Sequence, residues 1–61
     1  MNTDYFIEVA KDLLHDALHH LEKAIKSAEE ENNTLMAHNL GCVYDDIDSS
    51  NDQLQEILDE S

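Results

Sequence analysis

Apolar residues recur along the first half of the chain at alternating spacings of three and four. Ile7, Ala10, Leu14, Ala17, Leu21, Ala24 and Ala28 carry this stripe, which predicts one long amphipathic helix. Its interior is rich in Ala, Leu, Glu and Lys, all good helix formers. Thr3 or Asp4 can cap its start, because a short side-chain oxygen accepts from the unpaired amides of a first turn. The pattern stops in Glu29-Glu30-Glu31-Asn32-Asn33-Thr34. Asparagine tolerates left-handed backbone angles, so Asn32 and Asn33 suit a turn, and Asn33 or Thr34 can cap a second helix.

The same period restarts at Met36, Leu40, Val43, Ile47, Ser50, Leu54 and Ile57. These positions mirror the first set about residue 32, so Ala28 meets Met36, Ala24 meets Leu40, Leu21 meets Val43, and so on to Ile7 with Ile57. Small residues mostly face large ones, which fills layers without voids. The expected fold class is therefore all-α: an antiparallel helical hairpin over residues 1–61, a single domain with its turn near residues 30–34 and coiled-coil packing.

Two features argue against a perfect second helix. Gly41 lies inside it, and Asp48-Ser49-Ser50-Asn51-Asp52 is a run of weak helix formers and good caps. A break near residues 48–51 would give a short third helix. The unbroken phase from Ile47 to Leu54 favours a continuous or kinked one.

A two-helix hairpin leaves apolar residues outside its seam. Phe6, Val9 and Leu13 flank one side of the first helix, and Leu18 and Ile25 flank the other. Leu35, Tyr44 and Leu58 remain on the second helix. Association of two hairpins into a four-helix bundle would cover such surface, so a homodimer is expected, with either flank of helix one as its interface.

Composition then narrows the function classes. The 61 residues hold 15 Asp and Glu against 3 Lys and Arg, a formal net charge of −12. The charge is uneven. Up to residue 26, five acids stand against Lys11, Lys23 and Lys26; beyond it come ten acids and no Lys or Arg. Direct binding to nucleic acid is disfavoured at this charge. An anionic polar face is likewise wrong for a membrane surface, and no apolar run approaches the roughly 20 residues that span a bilayer. One cysteine excludes an internal disulfide. The start Met1-Asn2-Thr3-Asp4 lacks a basic signal-peptide region. A cytoplasmic location is expected.

No phosphate-cradling loop, nucleophile elbow or carboxylate pair in an apolar pocket is present, so no catalytic residue is assigned and the chain is not expected to be an enzyme. His15 and His19, an i, i+4 pair with Asp12 and Asp16 nearby, have zinc-like spacing. They fall on the outward face, however, and no matching motif exists on helix two. Neither metal nor cofactor is expected. Cys42 reads as a half-buried helical cysteine without a cleft, although His20 or His38 could approach it.

The informative feature is the acidic run Asp45, Asp46, Asp48, Asp52, Glu56, Asp59 and Glu60. Helix two spans roughly 40 Å at 1.5 Å per residue. Carboxylates over that length resemble, electrostatically, the phosphates of about one turn of duplex DNA. The expected function is a small protein-interaction module, an inhibitor or regulator that docks this face on a basic protein such as a nucleic-acid-binding one. Leu35, Tyr44 and Leu58 would serve as apolar anchors. The size suits a phage or mobile-element regulator. The alternative is a self-associating structural module whose acidic face serves solubility only.

Overall fold

The computed structural model describes residues 2–60 and shows two helices joined by a three-residue turn. Helix α1 runs Thr3–Glu30 and helix α2 runs Thr34–Glu60. They pack against each other as an antiparallel hairpin, a rod with Cα extents of 47 × 15 × 12 Å. Helix α2 is continuous through residues 48–51, so no third helix forms. The weak helix formers there are carried by the packing of Ile47 and Leu54 on either side, since burial outweighs a few tenths of a kcal/mol of propensity per residue.

The turn is built by its two asparagines. Asn32 adopts φ 59, the left-handed conformation. Its amide donates to the Glu29 carbonyl at 3.0 Å, and the Asn33 amide donates to the Ala28 carbonyl at 2.8 Å. These paired bonds satisfy carbonyls that the end of α1 would otherwise leave unpaired. Asn33 then begins α2. Its Oδ1 accepts from the Met36 amide at 3.1 Å, and its carbonyl accepts from the Ala37 amide at 3.0 Å. Of the two caps expected for α2, Asn33 is the one used. Replacing it with Ala leaves the Met36 amide without this partner and should cost about 1 kcal/mol. A thermal melt followed by circular dichroism checks this, and an unchanged midpoint would contradict it.

The start of α1 differs from expectation. Thr3 and Asp4 already lie within the helix, and the capping position is Asn2, whose side chain makes no capping bond. Only the Asn2 carbonyl takes part, accepting from the Phe6 amide at 3.2 Å. Asp4 still favours the first turn through its charge.

The seam of α1 follows the sequence stripe. Ile7, Ala10, Leu14, Ala17, Leu21 and Ala24 are half-buried and Ala28 is buried. Lys11, Leu18 and Ile25 join them on one flank. Leu18, only 8% exposed, is the one large side chain classed as buried among the described residues.

The seam of α2 is rotated from the expected one. Leu40, Ile47 and Leu54 face inward as expected, but the alternating positions are Ala37, Tyr44, Asn51 and Leu58 rather than Met36, Val43, Ser50 and Ile57. Met36, Val43 and Ile57 stay about half exposed, at 49%, 45% and 50%. This turns α2 by roughly 50° about its axis relative to the expected stripe. Two cross-hairpin hydrogen bonds accompany the rotation. The Tyr44 hydroxyl donates to Glu22 Oε1 at 3.0 Å, and Lys11 Nζ donates to Gln55 Oε1.

Candidate interaction surfaces

Those two bonds define one broad side of the hairpin. Lys11 and Glu22 lie on one flank of the α1 seam, and Tyr44 and Gln55 lie on the facing flank of α2. Helical geometry then puts Asp45, Asp48, Asp52 and Asp59 on this same side of α2, the first three at successive turns and Asp59 two turns further on. Gln55 Nε2 donates to Asp59 Oδ1 at 2.9 Å, which holds that carboxylate beside the Lys11–Gln55 pair. Glu56 points to the back of α2. Asp46 and Glu60 lie toward the opposite broad side, so the seven acids do not form one face. Glu8, Glu22 and Glu29 of α1 extend the acidic side instead. Glu29, with Glu30 and Glu31, extends the acidic field around the turn in the sequence as well, but nothing along one helix assigns Glu8 and Glu22 to the flank that the other helix shares.

A shallow groove of about 590 Å³ opens on the acidic side near the turn. Ile25, Gly41 and Tyr44 contribute its apolar floor, while Glu22, Glu29 and Asp45 bring carboxylates to it. Gly41 widens it, because a Cβ built there would meet nothing within 4 Å. Lys26 also lines this groove, as one local positive charge.

Tyr44 therefore does not project as a free anchor. Its ring is half-buried at the seam and its hydroxyl is engaged by Glu22. Leu58 is also half-buried. Leu35, 71% exposed, is the one of the three expected anchors that projects into solvent.

The Glu22 hydrogen bond holds the Tyr44 phenol above its usual value of 10.0, with burial and the nearby Glu22, Asp48 and Asp45 charges acting in the same direction. A raised folded-state value means that the folded protein keeps this proton longer than the unfolded chain. The associated stability is present in full below pH 10 and is lost as pH climbs through the folded value. The alkaline limb of a Tm-against-pH curve should be shallower in Tyr44→Phe than in wild type. Superposable limbs would show that the bond contributes nothing.

Cys42 is exposed rather than half-buried, with Sγ 3.9 Å from Nε2 of His38 one turn earlier. That contact is long for a nucleophile and its base. His15 and His19 line a smaller depression with Glu22 and Asp48. Among the described residues, no three His, Cys, Asp or Glu side chains are grouped as a metal site. No described helix is long and apolar enough to cross a membrane.

The opposite broad side carries most of the large exposed apolar residues, with His20 among them on α1 and Asp46 and Glu60 toward it on α2. Phe6 and Leu13 of α1 lie across the seam from Lys11 and Glu22, and Met36, Val43 and Ile57 of α2 lie across it from Tyr44 and Gln55. Phe6 is 65% exposed and Leu13 64%. Val9 borders them. By contrast, Leu18 and Ile25, the other flank considered for self-association, are taken up in the hairpin seam.

No protein-family model, curated protein or solved structure matches the chain.

Proposed function

We propose that the protein is a small acidic interaction module, an inhibitor or regulator that docks its acidic side on a basic protein. The observation carrying this reading is the groove in which an apolar floor of Ile25, Gly41 and Tyr44 meets the carboxylates of Glu22, Glu29 and Asp45. An arginine or lysine fits such a place well. Its aliphatic stem lies on the apolar floor while its charged head reaches the carboxylates. Asp48, Asp52 and Asp59 continue the negative field along the rod, which steers a basic partner toward the groove and sets its orientation. A partner that ordinarily binds nucleic acid has the matching surface, and occupancy of that surface would exclude its ligand.

The mechanism is competitive docking, with no bond made or broken by this chain. The test is capture from a lysate of the native host on the immobilised protein. A triple variant, Glu22→Gln/Glu29→Gln/Asp45→Asn, runs in parallel, with its helicity checked by circular dichroism. The expected partner is basic, elutes between about 0.1 and 0.5 M salt as screening shortens the electrostatic range, is displaced by duplex DNA, and is lost by the triple variant. Equal capture by the helical triple variant would overturn the reading.

A further inference from the structure

Gly41 is a mid-helix residue that the hairpin itself does not require. It lies in the interior of α2, half-buried on the flank that faces α1. Glycine is the poorest helix former after proline, because it gives up the most backbone freedom and leaves the backbone open to water. Two structural needs ordinarily justify a glycine in such a place. One is a left-handed backbone, and no glycine of the described residues has a positive φ. The other is close packing against a neighbouring element. A Cβ added at Gly41 would meet no atom within 4 Å, so α1 does not crowd this position either. The space left by the missing side chain is open, and it opens into the groove on the acidic side.

The cross-hairpin bond places this notch. Three residues toward the turn from the Tyr44–Glu22 hydrogen bond, α2 reaches Gly41 and α1 reaches Ile25. In an antiparallel pair the two are therefore level, about 4.5 Å along the rod from the bond. The Tyr44 ring bounds the notch at that end, and its 3.0 Å bond to Glu22 Oε1 holds it there. Glu22 and Asp45 bring carboxylates to the same end, and Glu29 stands toward the turn. Lys26 is the one ammonium of the lining, so the groove keeps an excess of negative charge.

This combination selects between the two basic side chains. A guanidinium is flat and weakly hydrated, stacks on an aromatic ring and offers donors to two carboxylates in one plane. A lysine ammonium is compact and strongly hydrated, and gains less from a ring wall and a narrow notch.

We infer that position 41 is free of a side chain so that an arginine of the basic partner can lie against the α2 backbone there, between Ile25 and Tyr44, with its guanidinium on Glu22 and Asp45. This contact rests on the acidic docking proposed above, and adds to it the residue that sets specificity and the side chain it selects. Any side chain at position 41 then exchanges binding for stability, because it improves the helix and fills the notch.

The experiment compares the full chain with Gly41→Ala and Gly41→Leu in two ways. Thermal melts followed by circular dichroism report the fold. Fluorescence anisotropy at about 0.1 M salt reports binding of a labelled peptide in which three arginines alternate with alanines, and of its lysine counterpart. Wild type should prefer the arginine peptide several-fold. Gly41→Ala should melt roughly 4 °C or more above wild type and yet bind the arginine peptide more weakly. Gly41→Leu should raise the dissociation constant of the arginine peptide about tenfold or more, the scale of one lost charge-assisted contact. The lysine peptide, held mainly by the general field, should change about twofold at most.

Wild-type affinity for the arginine peptide in Gly41→Leu would overturn the role of Gly41. Equal affinity of wild type for the two peptides would overturn the choice of arginine. A lowered midpoint in Gly41→Ala would show that the fold needs its glycine, and would overturn the inference on that ground. The acidic docking itself fails by a different result: undiminished binding of the arginine peptide by Glu22→Gln/Glu29→Gln/Asp45→Asn, in which position 41 is untouched.

Discussion

Leu18→Ala is expected to remove most of the folded population. Leu18 is 8% exposed and, among the described residues, the only large side chain that the hairpin buries. Truncating a buried leucine costs about 2–5 kcal/mol through lost apolar contact and the cavity left behind. A domain this small holds only a few kcal/mol of stability from its core, so one such loss is comparable to the whole. Alanine's better helix propensity returns only a fraction of a kcal/mol. The check is a helicity measurement against temperature and protein concentration. The variant should melt at least about 10 °C below wild type, since 1 kcal/mol corresponds to roughly 4–8 °C at this size. The loss should persist at every concentration, because Leu18 lies inside one hairpin. Leu13→Ala should lower the midpoint far less, because Leu13 is 64% exposed and has little burial to lose. A wild-type midpoint for Leu18→Ala would remove Leu18 from the centre of the seam.

The opposite effect is expected at Asn51. Its side chain occupies the α2 seam between Ile47 and Leu54, and its Oδ1 is buried with no hydrogen-bond partner in the protein. A polar group left in that state costs about 1–3 kcal/mol. Asn51→Leu removes the cost and adds apolar area, so the melting midpoint should rise by roughly 4 °C or more. The substitution should also loosen the specification of register. A single asparagine among apolar layers penalises every alignment that buries it less favourably, and an all-apolar seam lacks that penalty. Sedimentation of Asn51→Leu should thus show higher stability together with more than one associated species. A lowered midpoint would mean that the amide is satisfied in the folded protein, contrary to its placement here.

These two residues also show where reading the sequence succeeded and where it did not. The hairpin itself was legible. Two helical stripes mirrored about residue 32 and the Asn32-Asn33 pair between them specify two helices and a turn, and each signal is local. The α1 seam was equally legible, because Ile7, Ala10, Leu14, Ala17, Leu21, Ala24 and Ala28 offer one apolar stripe with charged residues opposite. The α2 seam was not. Positions 36, 43 and 57 and positions 37, 44 and 58 are both mostly apolar, and both sets continue through Leu40, Ile47 and Leu54 with the same period. Periodicity cannot choose between two phases one residue apart. The structure takes the phase that puts the Tyr44 hydroxyl on Glu22 and Gln55 beside Lys11, at the cost of burying Asn51 rather than the smaller Ser50.

That choice redistributes the candidate functional residues. With α2 rotated, Tyr44 and Leu58 turn toward the seam, while Met36, Val43 and Ile57 emerge to join Phe6 and Leu13. The acidic run divides, with Asp45, Asp48, Asp52 and Asp59 on one side and Asp46 and Glu60 toward the other. The carboxylates of Glu22 and Glu29 on α1 replace them around the groove. None of this was visible in a single helix, because the side on which a flanking residue ends up depends on the helix it packs against.

The sequence by itself determined two long helices, the position and chemistry of the turn, the inward stripe of α1 and a strong excess of negative charge. Each follows from residue spacing, local backbone preference or simple counting. The tertiary structure alone decided the rotation of α2, and with it the separation of an acidic side from one that carries most of the large exposed apolar residues. Rotation is set by the joint packing of both helices and by bonds between residues far apart in the chain, so the periodicity of either helix leaves it open.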